Sequence, residues 1–244
     1  MRLLIAEKPS LGRAIAAGLG KGTEKDGAIY LGSDVVTWCF GHILEQCSPE
    51  DYDEKYKRWR IEDLPILPEV WKTKVKPDAK KQYLLIKKLV HEADEIVNAG
   101  DPDREGQLLV DEVLADLQIL KGSKPIRRIL LNALDEKSVR EALRQLRSNQ
   151  EFIGLRNSAL ARSRADWLIG MNLSRIYTIR TQQAGYTNTV SVGRVQTPTM
   201  GLVVRREIEI RKFRPITFFT PCILWQHEAG SFLTRWKPHE MDGV

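Results

Sequence analysis

The chain has 244 residues, enough for one large domain or one and a half ordinary ones, and 42% of them are hydrophobic, so it can bury a real core. Charged residues make up 29%, and no apolar run approaches the roughly 20 residues that span a bilayer, which argues against a membrane protein. Lys and Arg outnumber Asp and Glu by 38 to 32, and a net charge of +6 is weak support for a nucleic-acid partner by itself.

The distribution of charge says more. Residues 1–150 hold most of the acids, whereas the stretch 156–214 is rich in arginine and poor in carboxylates. Such a stretch suits phosphates while an acidic site elsewhere holds metal. The cysteines, Cys39, Cys47 and Cys222, form no C-x-x-C pair, so neither a zinc site nor a disulfide framework is expected.

The first nine residues do not read as a signal peptide, because the apolar run is short and Glu7-Lys8 follows at once. A cytoplasmic protein is expected. Residues 2–6 make a buried strand, and 10–19 have a helical pattern with Ser10 as N-cap. Short strands are expected at 28–31 and 35–39. The polar, proline-bearing segment 48–77 reads as an irregular excursion. An amphipathic helix at 80–92, a buried strand at 95–99, a helix at 107–117, a strand at 126–131 and a helix at 136–146 follow. Alternating strands and helices imply one α/β domain, residues 1–135, around a mostly parallel sheet covered on both faces.

From residue 150 the pattern turns mainly helical, and 150–244 is assigned to a second region. Residues 157–183 form one long helix. A turn at Gly185 leads to an extended segment at 190–196, a helix at 199–207, and one or two strands within 216–236.

The strongest local signal is Asp101-Pro102-Asp103-Arg104-Glu105-Gly106, between a strand and a helix. In an extended loop, residues two apart project to one side, so Asp101, Asp103 and Glu105 could converge. Oxygen ligands without nearby histidine or cysteine suit magnesium rather than zinc. The plain alternative is a solvated turn that caps a helix, since acids favour helix N-termini anyway. Glu7 and Lys8 shift the balance, because ligands of such sheets gather beyond the carboxyl ends of the strands. An acid, a lysine and a metal together suit phosphoryl-transfer chemistry.

A strand ending in Glu, followed much later by a strand ending in Asp-x-Asp-x-Glu, resembles the TOPRIM domain of topoisomerases, bacterial primases and some nucleases. Ala6-Glu7-Lys8-Pro9-Ser10, the segment 100–107, Val36-Thr37-Trp38 and Gly41-His42 are similar to the version in type IA DNA topoisomerases. The resemblance implies a TOPRIM domain with a Rossmann-like sheet, followed by an incomplete type IA core. It implies Mg2+ as cofactor, held by Glu7, Asp101, Asp103 and Glu105. Glu7, Lys8 and Asp101 become the catalytic candidates, with Glu7 as general acid and Lys8 on the scissile phosphate. His42 is expected to be a buried structural histidine.

Ser191-Val192-Gly193-Arg194-Val195-Gln196-Thr197-Pro198 places small, polar and basic groups at a strand-to-helix junction. Backbone N–H groups at a helix N-terminus beside an arginine can hold phosphate, although one such loop alone is an ordinary helix start. The string resembles an element of the topoisomerase III kind, which implies a single-stranded DNA path along Ser191, Val192, Gly193, Arg194, Val195 and Gln196. On the long helix Arg164, Trp167, Met171, Arg175 and Gln182 share one face, where they either grip DNA or pack with snorkelling arginines. The resemblance aligns Trp167, Arg175 and Gln182 with DNA-facing positions and suggests Trp59 as another.

A type IA enzyme attacks DNA with a tyrosine in a T-Y-P-R-[ST]-D type element, making a 5′-phosphotyrosyl link without ATP. Tyr30, Tyr52, Tyr56, Tyr83, Tyr177 and Tyr186 all lack that context. No nucleophilic tyrosine is assigned in this chain, which is expected to be a catalytically incomplete fragment or an interrupted gene product. The parent enzyme would act near the nucleoid on negatively supercoiled or catenated DNA through single-strand passage, without a nucleotide cofactor. The competing readings are a TOPRIM primase or nuclease, and a DNA-binding module without catalysis.

Overall fold

The computed structural model describes residues 1–237. Two compact units divide it, Met1–Arg194 and a second that begins at Val195. The first begins with β1 (Arg2–Ala6), α1 (Pro9–Leu19), β2 (Thr23–Lys25), β3 (Ala28–Leu31), β4 (Asp34–Trp38) and β5 (Leu44–Gln46). After an excursion of short 3-10 turns come β6 (Thr73–Val75), α2 (Lys80–Glu92), β7 (Glu95–Ala99) and α3 (Arg104–Asp116). The unit continues with β8 (Ile126–Arg128), α4 (Glu136–Leu143), β9 (Arg147–Ser148) and the long helix α5 (Ile153–Gln183).

Seven strands form one sheet in the order β2-β3-β4-β1-β7-β8-β9. The inner four, β4-β1-β7-β8, are parallel, and the flanking pairings are antiparallel. The α/β expectation holds for a physical reason visible in β1. Successive residues of a strand face opposite sides. Leu3 and Ile5 enter a core with Ile86, Leu89, Val90, Val110 and Val113, from α2 and α3. Leu4 and Ala6 enter another with Leu11, Ile15 and Val139, from α1 and α4. A strand buried on both faces needs an unbroken apolar run, which residues 3–6 supply.

Several boundaries differ from the sequence reading. Helix α1 starts at Pro9, with Lys8 as an N-cap that makes no side-chain cap bond; Ser10 already lies inside the first turn. Proline is well suited to that position, where its missing N–H is no loss. Helix α3 starts at Arg104, because the Asp103 side chain accepts from Gly106 N and caps it. Strand β8 stops at Arg128 and α4 at Leu143. Within the excursion, β6 returns to pair with β5.

The second unit holds α6 (Gln196–Lys212), then β10 (Cys222–His227) and β11 (Gly230–Arg235) as an antiparallel hairpin. Trp225 stacks on Phe232 across that hairpin, with ring centroids 6.2 Å apart. No helix among the described residues is long and apolar enough to cross a membrane.

Candidate active site and strand-binding surface

The pairing of β1 with β7 sets Ala6 beside Ala99, so Glu7 and the loop 100–103 emerge side by side at the carboxyl end of the sheet. Lys8 Nζ donates to Glu7 Oε1 at 3.0 Å and to Asp101 Oδ2 at 2.7 Å. Asp101 N donates to Glu7 Oε2 at 3.1 Å, which ties the two strand ends together. Bonds to Asp101 and Glu7 raise the Lys8 pKa, so the ammonium stays charged. For Asp101, burial is the largest single influence and pushes its pKa up. The bonds to Lys8 and Glu7, with the charges of Lys8 and Arg128, outweigh burial and hold it below the usual value.

Two glycines let the loop close this tightly. A Cβ on Gly100 would lie 2.1 Å from the Gly106 carbonyl oxygen. On Gly106 it would meet Asp101 N and O, each at 2.5 Å, and Glu7 Oε2 at 2.8 Å. Only residues without a side chain allow the helix start and the strand end to touch.

The structure brings Glu7, Lys8 and Asp101 together. Asp103 and Glu105 do not join them through any direct bond. Asp103 caps α3, and Glu105 turns to Arg162 at 3.5 Å and to Arg104 at 3.9 Å. The extended-loop expectation is corrected here. The segment bends into α3 at residue 104, so the two-residue alternation ends at Asp103.

Among the described residues no three His, Cys, Asp or Glu side chains form a ready-made metal cluster. The donor set nevertheless fits magnesium, a hard cation that needs only one or two carboxylates and keeps several waters. Glu7 and Asp101 supply the oxygens, and the Lys8 ammonium between them shows that the spot accepts positive charge.

Arg128, absent from the sequence reading, underlies the site. It is fully buried and donates to the carbonyls of Gly100 at 2.8 Å and Asp101 at 2.6 Å. Burial depresses its pKa to about 10, against the pull of Asp111, Asp103, Glu7 and Asp101. Its signal was available in Ile126-Arg127-Arg128-Ile129-Leu130, where one of two arginines must point inward from a buried strand.

His42 is not buried as expected. Its ring bonds Glu112 Oε1 at 2.9 Å with 42% of its side chain exposed, and that bond raises its pKa.

Residues expected to face DNA divide by environment. Trp167 is buried, donates to the Cys47 carbonyl at 2.9 Å, and packs edge-on against Trp71 and Tyr52. Arg175, only 4% exposed, lies over the Trp59 ring at 5.1 Å and donates to the Tyr56 carbonyl. The shared face of the helix thus packs on the excursion at these two positions, while Gln182 is exposed. Residues 190–193 form no strand. The Ser174 and Thr178 hydroxyls take up the backbone of Val192 and Val190, and those bonds replace a strand ladder. Arg194 pairs with Asp166 at 2.6 Å. In the second unit Val195 is exposed and Gln196 opens α6.

A cavity of about 580 Å3 opens between α3, α5 and the excursion. Trp71, Trp167, Leu108, Arg156, Arg164 and Gln46 are among its walls. Three of these carry buried polar atoms without a partner, Gln46 Oε1, Arg156 Nε and Arg164 Nε.

A parallel sheet with an acid on one central strand end and an acidic loop on the next defines a Toprim-type protein. The model of the Toprim domain family matches residues 2–134, and that of the DNA topoisomerase family matches residues 150–242. The chain belongs to the Toprim domain family, and its later region matches the DNA topoisomerase model. DNA topoisomerase 3 of Vibrio cholerae is 52% identical over 98% of this chain. That of Pasteurella multocida is 55% identical over 100% of it. The chain spans 38% of the length of each of these two relatives. The solved full-length topoisomerase I of Thermotoga maritima shares the fold, with a TM-score of 0.56 and 22% identity over 88% of this chain and 31% of that one.

Proposed function

We propose that this chain supplies the metal-binding and strand-binding parts of a type IA topoisomerase, which cuts one DNA strand, passes another through the gap and reseals it. The observation that carries the reading is the Lys8 ammonium lodged between Glu7 and Asp101 at the ends of adjacent parallel strands. In this reading Glu7 and Asp101, with Asp103 and Glu105 nearby in sequence, hold Mg2+. The ion would offset charge on the phosphate. Lys8 would orient the scissile phosphate, and Glu7 would pass a proton to the sugar oxygen.

The strand would lie along Trp59, Trp167, Arg175, Gln182 and the segment from Ser191 through Val192, Gly193, Arg194 and Val195 to Gln196. The cavity beside Trp71 and Trp167 supports this. It offers indole walls and cationic side chains, which suit a base and its phosphate. The substrates would be single-stranded, negatively supercoiled or catenated DNA in the cytoplasmic nucleoid. The nucleophilic tyrosine would come from outside these 244 residues.

The test is end-labelled single-stranded DNA incubated with the chain and Mg2+, read both on a native gel and on a denaturing protein gel. A retarded native band without a covalent band is expected. A covalent band that Glu7→Ala abolishes would show that the nucleophile lies within the chain. Absence of any DNA binding would remove the strand-binding half of the proposal, and primer synthesis from ribonucleotides would point to a primase instead.

A further inference from the structure

Behind the acidic loop a buried carboxylate gathers three primary amides. Asp111 on α3 is 2% exposed. Its Oδ1 accepts from Asn98 Nδ2 at 3.0 Å and from Asn149 Nδ2 at 2.9 Å, and its Oδ2 accepts from Gln107 Nε2 at 2.8 Å. An ionised carboxylate can only accept, so it dictates which way Asn98 and Asn149 turn. With the Asn98 NH2 held by Asp111, its carbonyl end faces Gly100 N at 3.1 Å and Arg128 Nη1 at 3.3 Å. With the Asn149 NH2 held likewise, its oxygen accepts from Gln107 Nε2 at 2.8 Å. Asn149 lies four residues before Ile153, where α5 begins.

We propose that Asp111 is a positioning residue: through Asn98 it sets the Gly100–Asp101 backbone that carries the acidic site, and through Asn149 it fastens that loop to the entrance of α5. The inference rests on the metal-binding reading above. None of these groups is among the residues proposed above to hold the metal or the strand. They act on the loop from beneath, as outer partners orient direct ligands in metal sites generally.

The network is not arranged for stability alone. Gln107 Oε1 and Arg128 Nε are buried and unpartnered within it. An apolar core here would avoid both penalties. Local rules broken at one place in a fold mark the place where geometry is being held for a purpose. Asp111 is also among the negative charges that face the buried Arg128 guanidinium, which itself grips the carbonyls of Gly100 and Asp101. One side chain thereby orients an amide and balances a cation, and both of these hold the same two residues.

The experiment uses the whole chain with Asp111→Asn, Asn149→Ala and, as a control of similar burial on another helix, Val90→Ala. Two quantities are read: amide hydrogen exchange, and Mn2+ affinity by electron paramagnetic resonance. In Asp111→Asn the Gly100 amide should exchange about tenfold faster, the loss of one net hydrogen bond, and residues 150–156 should lose protection with it. Mn2+ should bind about 10-fold to 100-fold more weakly. Asn149→Ala should loosen residues 150–156 and leave Gly100 protected. Val90→Ala should lower the melting temperature and move neither readout. Unchanged Gly100 exchange in Asp111→Asn overturns the inference, as does an equal effect of Val90→Ala. Failure of the unaltered chain to bind Mn2+ would sink the metal reading, and the positioning role would then be decided by exchange alone.

Discussion

Gly106→Ala tests whether the close approach of strand end and helix start holds the site together. The added Cβ would lie 2.5 Å from both Asp101 N and Asp101 O, and 2.8 Å from Glu7 Oε2. Ordinary contact begins at 3.4 Å, so backbone must retreat by about an ångström. Two of the three neighbours are main chain and cannot rotate away. The loop would have to lift, and the bond from Asp101 N to Glu7 Oε2 would open with it. Overpacking costs roughly 1–3 kcal/mol and sometimes more. For a unit of this size that is a fall in melting temperature of roughly 2–12 °C. Gly170→Ala in the interior of α5 is the control, since its Cβ would sit in ordinary contact 3.7 Å from the Val192 carbonyl oxygen. There alanine should stabilise, by up to about 1 kcal/mol. Thermal and urea melts of the two variants should therefore move in opposite directions. If Gly106→Ala melts at or above the unaltered chain, the steric account of the loop is wrong.

Further tests address other contacts. Glu112→Gln should lower the His42 pKa toward its ordinary 6.5, followed by NMR titration of the ring, because the bond to Glu112 is the main cause of its rise. A raised histidine pKa stabilises the fold below the ordinary value and loses that contribution as pH climbs through the folded one. The stability gap attributable to His42 should accordingly close on the alkaline side, and a gap that widens there would contradict the assignment. Asn172→Ala should free the excursion from α5. Its amide accepts from Ile66 N at 2.6 Å and donates to Ile66 O at 3.1 Å. Leaving these groups unpaired costs about 1–3 kcal/mol each while they stay buried. Limited proteolysis should then cut within residues 48–77 well before the unaltered chain is cut there.

How much of this was legible depends on how far apart the causes lie in sequence. Residues 3–6 announce a central strand by an unbroken apolar run and 95–99 by a mostly apolar one, and Glu7 and Asp101 follow shortly after the ends of those runs. Asp103 could be read as a cap as well as a ligand, and the structure shows the cap. Arg128, Asn98 and Asp111 were not legible as a group. The pattern points one arginine of the pair 127–128 inward, but what gathers Arg128, Asn98 and Asp111 is visible only once β7, β8 and α3 are assembled. The long helix shows the same limit. Its periodicity correctly puts Trp167 and Arg175 on one side. It carries no information on what covers that side, and the cover comes from Cys47, Tyr56, Trp59 and Trp71, roughly a hundred residues earlier. The segment 190–196 reads as a strand-to-helix junction, and the structure keeps only the helix start. A strand needs a partner strand, and here the partners are two hydroxyls on a helix.

Lys8 raises a final question of sign. If its only role were to hold the two carboxylates in place, removing it would loosen the pocket and weaken cation binding. The geometry argues otherwise. Glu7 Oε2 is already fixed by Asp101 N, and Arg128 anchors the loop from beneath by the Gly100 and Asp101 carbonyls. What Lys8 adds is a positive charge within 3.0 Å of one carboxylate and 2.7 Å of the other. A metal ion entering there must displace or repel it. The ammonium is about half exposed, so its interactions are screened nearly as in water, where a pair at about 4 Å is worth roughly 1 kcal/mol. Lys8→Ala should then bind Mn2+ about five- to tenfold more tightly when no DNA is present, and should raise the Asp101 pKa, which Lys8 now helps to depress. A depressed carboxyl stabilises the fold above its ordinary 3.8 and loses that contribution as pH falls through the folded value. The variant should therefore lose its deficit in stability at the acid end. Weaker Mn2+ binding in Lys8→Ala, with Gly100 exchange unchanged, would mean that the ammonium organises the carboxylates rather than occupying the cation's place.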